Sequence, residues 1–302
     1  MRVLRLFRVP LLLALACSTL AACDGGQPAK ADGKAPAAKA GEPAPADMIR
    51  EAPGVELGSL SEAQRESFFT VLNQESSACG KAHSLATSLR DDPDCRDSKL
   101  VAQVIADRLA AGQTAADVKL MVDEVVSALT PATLDLEGRP VYGNPKAPVT
   151  VVVFADFQCP RCKSEAPVLR KEVDDRRGQV KLVFKHFPLP GHPRGEPAAI
   201  AVEAAHQQGK FWEMHDLVFA NQTQLEDADL ERYAGQIEGL DVAKWKADYA
   251  SETVKAAVTS DRADGKTLQL PGTPSVFVDG RQVTPLLWEG EISGWIDDAL
   301  RR

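Results

Sequence analysis

The residues best suited to chemistry in this chain are Cys159 and Cys162, which are separated by Pro160 and Arg161. They lie between an extended apolar run and a segment compatible with a helix. Two thiols three positions apart can exchange between a dithiol and a disulfide without a change of fold. The motif therefore predicts redox chemistry on the cysteines of other proteins.

The position of this motif at the start of a helix predicts different roles for its two sulfurs. Cys159 stands where a helix N-cap belongs, and Pro160 suits the first helical position because its missing N–H would be unpaired there. Free N–H groups and the helix dipole favour the Cys159 thiolate, and we expect Arg161 to add a fixed positive charge. Stabilising the thiolate makes the disulfide form an oxidant. We expect Cys159 to react with the client cysteine and the more buried Cys162 to resolve the mixed disulfide.

The motif alone leaves two alternatives open, half of a zinc site and an inert structural disulfide. Zinc requires four ligands, whereas the other cysteines lie far upstream and no clean pair of histidines completes a site. We therefore expect no metal and no other cofactor.

Strand and helix patterns alternate around the motif. The pattern predicts, in order, strand 149–157, helix 160–176, strand 180–187, a helical insertion at about 194–264, hairpin 275–284 and helix 292–300. We expect four helices in the insertion, and the turn Asp279-Gly280 is typical of a two-residue hairpin. This order predicts an α/β protein with a thioredoxin fold and a helical insertion, preceded by a small all-α region.

Residues 134–302 resemble DsbA-type thiol-disulfide oxidoreductases. The segments that carry the resemblance are 154–162 around the two cysteines, 187–193, 208–216 and Gly272-Thr273-Pro274 with its following strand. The resemblance implies a protein disulfide oxidoreductase that acts on cysteines of exported proteins and has a membrane or periplasmic redox partner. A reductase or an isomerase of the same family, and a thiol-based metallochaperone or assembly factor that binds copper, are the alternatives.

The resemblance also assigns a role to Thr273 and Pro274. It implies that they form the family's cis-proline loop, which packs against the CxxC motif and leaves the Thr273 backbone free to pair with an extended substrate segment. An ordinary turn before a strand is the alternative. The chain departs from the family at one position. The family has a buried acid six residues before the first cysteine, and this chain has Val153 there. Asp156 and Glu165 are the nearest acids, so the general base that serves Cys162 stays open.

The first 22 residues have the pattern of an export signal. Arg2, Arg5 and Arg8 precede an apolar core over 9–20 that is too short to span a bilayer. The following Cys23, in Leu-Ala-Ala-Cys, resembles the lipid attachment site of bacterial lipoproteins. The resemblance implies a protein anchored by lipid in the cell envelope, at the inner membrane facing the periplasm. An ordinary secretory signal is the alternative.

Two further regions precede the thioredoxin-like part. Residues 23–54 are rich in Ala, Pro and Gly and predict a flexible tether, and residues 55–131 have helical periodicity. Cys79 and Cys95 lie in the helical region, and we interpret them as a structural disulfide, with a second redox pair as the alternative. The net charge of −8 argues against a nucleic-acid partner.

Overall fold

The computed structural model of this protein describes residues 47–302. The predicted signal peptide, the lipid attachment at Cys23 and most of the predicted tether therefore lie outside the described residues. The described residues form eleven α-helices and one five-stranded sheet. Among the helices of residues 47–302, none combines the length and the apolar character that crossing a bilayer requires.

The last part of the predicted tether, residues 47–54, packs against the protein. The Ile49 amide donates a hydrogen bond of 3.0 Å to the Asn73 side chain, and Arg50 forms an ion pair of 2.6 Å with Glu66. Ile49 also adds apolar surface to the core. The ordered contacts thus begin before residue 55, because this end of the segment supplies an apolar side chain that the helices can bury.

Four helices follow in the N-terminal region: α1 (Glu62–Gln74), α2 (Leu85–Asp91), α3 (Arg96–Ala110) and α4 (Ala115–Leu129). Ser61 and Gln64 form a capping box at the start of α1, and Thr114 and Asp117 form another at the start of α4. Each box pairs backbone N–H groups that would otherwise lack partners, so the polar signals in the sequence set where these helices begin.

A disulfide joins Cys79, before α2, to Cys95, at the start of α3, with the two Cα atoms 6.1 Å apart. Three buried hydroxyl groups lie beside it. Ser88 lies 3.1 Å from Ser77 and 3.0 Å from Ser98, and Ser98 lies 3.0 Å from the Cys95 sulfur. The disulfide and these serine hydroxyls together hold the segment between α1 and α3, which includes α2.

The sheet has the strand order β1-β3-β2-β4-β5. Its strands are β1 (Val141–Gly143), β2 (Val149–Ala155), β3 (Val180–His186), β4 (Ser275–Val278) and β5 (Arg281–Gln282). β2 and β3 are parallel, and the other neighbours are antiparallel. The sequence pattern missed β1 because this edge strand has three residues, one of them glycine, and buries none of them fully.

The central strand β2 divides its side chains between two cores, as the period of two in a strand requires. Val151, Val153 and Ala155 join the large core, whereas Val152 and Phe154 join a smaller one on the other face. Helix α5 (Pro160–Asp175) packs over β3 and β1, and the C-terminal helix α11 (Ile292–Leu300) packs over β2 and β4. The alternation therefore places Val153 on the large-core side, to which Cys162 and Leu169 of α5 also belong.

The insertion between β3 and β4 contains five helices: α6 (Gly195–His206), α7 (Phe211–Ala220), α8 (Asp227–Ala234), α9 (Val242–Ala250) and α10 (Glu252–Thr267). The sequence pattern predicted four. The difference arises at Ser251, which ends α9 and whose side chain caps α10. One residue with extended backbone thus separates two helices whose patterns are nearly continuous.

Candidate active site

The turn from β2 into α5 places the first cysteine at a helix tip. Cys159 is the N-cap residue of α5 and Pro160 is its first helical residue. The Cys159 amide donates to the Asp156 carbonyl over 3.0 Å, which closes the turn. Cys159 is 6% exposed and Cys162 2% exposed. The two thiols are free. The unpaired N–H groups at the start of the helix lie next to Cys159.

The loop before β4 contacts the Cys159 sulfur from the opposite side. The Thr273–Pro274 peptide bond is cis, and the Cys159 thiol donates to the Thr273 carbonyl over 3.3 Å. The Thr273 hydroxyl is buried and has no hydrogen-bond partner of good geometry. The structure therefore brings Cys159, Cys162, Thr273 and Pro274 together.

The two thiols have opposite pKa shifts. Burial works against ionisation of Cys159, but hydrogen bonds from Thr273 and from the backbone N–H groups of Cys162 and Arg161 outweigh it and lower the pKa of the thiol. Burial raises the pKa of Cys162 to about 12, although the Asp156 amide lies 3.5 Å from its sulfur and partly offsets this effect. Cys159 thus ionises more readily than an ordinary thiol, and Cys162 ionises less readily.

The Arg161 side chain is exposed, and the effect of its charge on Cys159 stays a prediction. Its backbone N–H contributes to lowering the pKa of Cys159. The exposed side chain lines a groove together with Glu165, and its charge lowers the pKa of that carboxyl against the larger effect of burial. The groups that lower the pKa of Cys159 thus include Thr273, Cys162 and the Arg161 backbone.

Asp156 is one of the two acids that could have served Cys162, and its carboxylate is fully engaged. It accepts hydrogen bonds from the amides of Gln158, at 2.7 Å, and Leu189, at 2.8 Å, and lies 2.6 Å from the His192 ring. A side chain at Gly195 would come within 2.8 Å of the same carboxylate. Asp156 thus fastens the loop after β3 to the active-site turn and contacts Cys162 through its backbone alone.

Gln222 also holds the turn, and the sequence analysis missed it. Its side-chain amide donates to the carbonyls of Phe157 and Cys159, both at 2.8 Å. Gln222 follows α7 by two residues and lies 63 positions from Cys159. A single polar residue in a turn carries no local signal of a contact made at that distance along the chain.

An open groove of about 590 Å³ runs beside the site. Its lining residues include Arg161, Glu165 and Pro274 and also Glu124 and Ser127 of α4. The N-terminal helical region therefore borders the same groove as the cis-proline loop. Within residues 47–302, no three or more His, Cys, Asp or Glu side chains are grouped so that they could hold a metal ion.

A CxxC dithiol at a helix N-terminus, set against a cis-proline loop beside this mixed sheet, is typical of thioredoxin-like proteins. Comparison with known proteins agrees with this class, since a family model described as thioredoxin matches residues 135–298. The chain belongs to the thioredoxin family, as a DsbA-like member. The match begins after α4, so the four N-terminal helices lie outside it.

Three related proteins illustrate the similarity. The probable disulfide bond formation protein D of Bacillus cereus is 34% identical over 155 residues, which is 47% of this chain and 71% of that protein. The crystal structure of oxidised BdbD from Bacillus subtilis shares 25% identity and a TM-score of 0.50, covering 57% of this chain and 98% of the other. The Na(+)/H(+) antiporter NhaA 3 of Salinispora tropica is 37% identical over 179 residues, 59% of this chain. The chain spans only 27% of that antiporter's length.

Proposed function

We propose that this protein is a thiol-disulfide oxidoreductase that oxidises cysteine pairs of exported client proteins. The observation that carries the proposal is the opposite shift of the two thiols: hydrogen bonds lower the pKa of Cys159, and burial raises that of Cys162 to about 12. A stabilised thiolate at Cys159 stabilises the reduced protein and makes the disulfide a stronger oxidant. The relative named as a disulfide bond formation protein supports the same direction.

The reaction is two successive thiol-disulfide exchanges. A client thiolate attacks the Cys159 sulfur, the Cys159–Cys162 bond breaks, and Cys162 leaves and takes up a proton. A second client thiolate then attacks the client sulfur of the mixed disulfide and releases Cys159 as a thiolate. The client loses two electrons and gains a disulfide, and the protein gains both electrons as a dithiol. A membrane or periplasmic redox partner would reoxidise it.

The groove and the Thr273 backbone would bind the client segment around the reacting cysteine. The Thr273 carbonyl lies 3.3 Å from the Cys159 sulfur, so a client cysteine bonded to Cys159 has a backbone acceptor beside it. An extended segment can pair with such a backbone as an added strand. The groove of about 590 Å³ beside Pro274 provides the space.

The location of the reaction is proposed from the N-terminal sequence. The export signal over residues 1–22 and the lipid attachment at Cys23 would tether the protein to the inner membrane, facing the periplasm. A flexible tether of this length reaches on the order of 30 Å. The Cys23→Ala variant should then leave the membrane fraction and appear in the soluble periplasmic fraction, and an unchanged membrane fraction would contradict the anchor.

The oxidised protein, incubated with a reduced and unfolded secreted protein, tests the proposed activity. We expect one client disulfide for each dithiol formed at residues 159 and 162, and complete loss of the reaction in Cys159→Ser. A protein that reduces client disulfides but does not form them would contradict the oxidant role. Equal reaction in wild type and Cys159→Ser would contradict the assignment of the site.

A further inference from the structure

Helix α4 borders the groove beside the redox site, although it lies outside the part of the chain that matches the thioredoxin family. Glu124, Ser127 and Ala128 of α4 line this groove together with Pro274 of the cis-proline loop and Ser275 at the start of β4. The N-terminal helical region thus supplies side chains to the space in which we place the client segment. Selectivity for clients can therefore arise from residues that the family match does not include.

Contacts with the sheet and with the C-terminus hold the helical region in this position. The Thr284 hydroxyl, which follows β5, donates to the Glu124 carboxylate over 3.4 Å and accepts from the Leu286 amide over 3.3 Å. Helix α4 packs against β5 itself. At the start of α3, the Arg96 side chain donates to the Arg301 carbonyl over 2.9 Å. The Glu124 carboxylate therefore has a defined place at the border of the groove.

Glu124 brings to the groove a negative charge that has no partner of opposite sign. Its side chain is exposed, and the hydrogen bond from Thr284 is its contact with the sheet. Within residues 47–302, no Lys, Arg or His side chain forms an ion pair with it. The other charged residues of the groove are Arg161 and Glu165, and the Arg161 charge acts on the Glu165 carboxyl. The lining therefore has a net negative charge, with Glu124 as its unpaired carboxylate.

The shape and the remaining lining of the groove suit a long basic side chain. Its volume of about 590 Å³ lies within the range of about 300–1,000 Å³ that is usual for binding pockets. Val276, Val283 and Pro285 add apolar surface to the lining. Lys and Arg side chains bury their aliphatic stems along such surface and keep the charged end at a polar group or in water. An extended client segment that carries a Lys or Arg can thus use both the apolar lining and Glu124.

We propose that Glu124 selects client segments that carry a lysine or an arginine near the reacting cysteine. The inference rests on the proposed function and adds the class of client to it. With the client cysteine at Cys159, beside the Thr273 carbonyl, the neighbouring part of the segment lies in the groove and its basic side chain pairs with Glu124. Because this ion pair is exposed, it acts mainly on the rate of association and weakens as salt is added.

A set of reduced peptides, each with two cysteines, tests this selectivity. The peptides differ only in one residue, Lys, Gln or Glu, placed two to five positions before or after the first cysteine. Each is mixed with the oxidised protein at low ionic strength, and the second-order rate constant for loss of the disulfide at residues 159 and 162 is measured by acid quenching and alkylation. At the best placement we expect Lys to exceed Gln by about twofold to fivefold, the range that exposed ion pairs produce. Added salt should reduce this ratio.

Two adjacent residues of α4 provide a matched pair of variants. Glu124→Lys and Asp123→Lys change the net charge by the same amount, but Asp123 is exposed and does not line the groove. The net charge of −8 attracts basic peptides in both variants alike, so a difference between them isolates the groove. We expect the preference for Lys over Glu to be lost or reversed in Glu124→Lys and retained in Asp123→Lys. The ratio of two peptides on one variant cancels any change in its overall activity.

Glu124→Gln removes the charge with little change of shape, and it should abolish the difference between the Lys and Gln peptides. Equal loss of the preference in the two lysine variants would overturn the proposal, since long-range charge would then explain it. Absence of any preference in the wild type at every placement would also overturn it. So would loss in Glu165→Gln together with retention in Glu124→Gln. A wild type that dithiothreitol reduces but that oxidises none of the peptides would instead contradict the proposed function, and this inference with it.

Discussion

The carbonyl oxygen of Thr273 lies 3.3 Å from the Cys159 sulfur, although the two residues are 114 positions apart in the chain. The loop before β4 therefore touches the reacting atom directly. The hydroxyl of the same threonine is buried and makes no other hydrogen bond, and it helps to lower the pKa of Cys159. One residue thus places both a carbonyl oxygen and a hydroxyl at the reacting cysteine.

The Thr273 hydroxyl can be tested by replacing it with a methyl group. We expect Thr273→Val to raise the pKa of Cys159 by about one unit or more, since a hydrogen bond to a charged group contributes about 1.5–3 kcal/mol and one pKa unit is about 1.36 kcal/mol. The pH dependence of Cys159 alkylation measures the shift. Thr273→Ser keeps the hydroxyl and should stay close to the wild type, and equal pKa values in the valine and serine variants would exclude the hydroxyl.

The assignment of the two sulfurs predicts which variant traps clients. In Cys162→Ser the mixed disulfide at Cys159 cannot be resolved, so client proteins should remain covalently attached. The covalent complexes should appear as additional bands of higher mass on a non-reducing gel. Cys159→Ser should trap none, because Cys162 is buried and its pKa is about 12. Trapping by Cys159→Ser alone would reverse the roles given to the two cysteines.

The Arg161 charge should have little influence on the nucleophile. We expect Arg161→Ala to shift the pKa of Cys159 by less than about half a unit, which corresponds to under about 0.7 kcal/mol. The pKa of Glu165 should rise, because Arg161 is the positive charge that opposes burial there. Alkylation as a function of pH measures the pKa of Cys159, and an NMR titration of the carboxyl measures that of Glu165. A large rise for Cys159 would restore the charge effect that the sequence suggested.

The disulfide of the helical region should contribute to stability without affecting redox chemistry. Replacing Cys79 and Cys95 by serine should lower the free energy of unfolding by about 3 kcal/mol in the chain-entropy model, for a loop closed over a separation of 16 residues. Denaturant unfolding measures the loss. The reduction potential of the 159–162 pair should be the same in the wild type and in the double serine variant. A changed potential would show that Cys79 and Cys95 take part in the exchange.

Features with a local chemical cause could be predicted from the sequence. Pro160 after Cys159 indicates the start of α5, and the polar residues Ser61 and Thr114 indicate where α1 and α4 begin. These positions depend on groups within four residues of one another. The same holds for the hairpin turn at Asp279, which adopts positive φ.

Features that depend on distant contacts could not be predicted. Gln222 reaches the Cys159 carbonyl across the fold, and the short strand β1 exists only because β3 provides its partner. Periodicity shows which residues are buried, but it does not show which distant polar groups meet.

Alkylation of the reduced protein as a function of pH, with each cysteine followed by mass spectrometry, shows directly whether the Cys159 thiolate is stabilised. We expect Cys159 to react with a midpoint below the ordinary thiol value of about 8.5, and faster than free cysteine at neutral pH. Cys162 should react only at far higher pH. If neither sulfur reacts faster than free cysteine at neutral pH, the Cys159 thiolate is not stabilised and the account is contradicted.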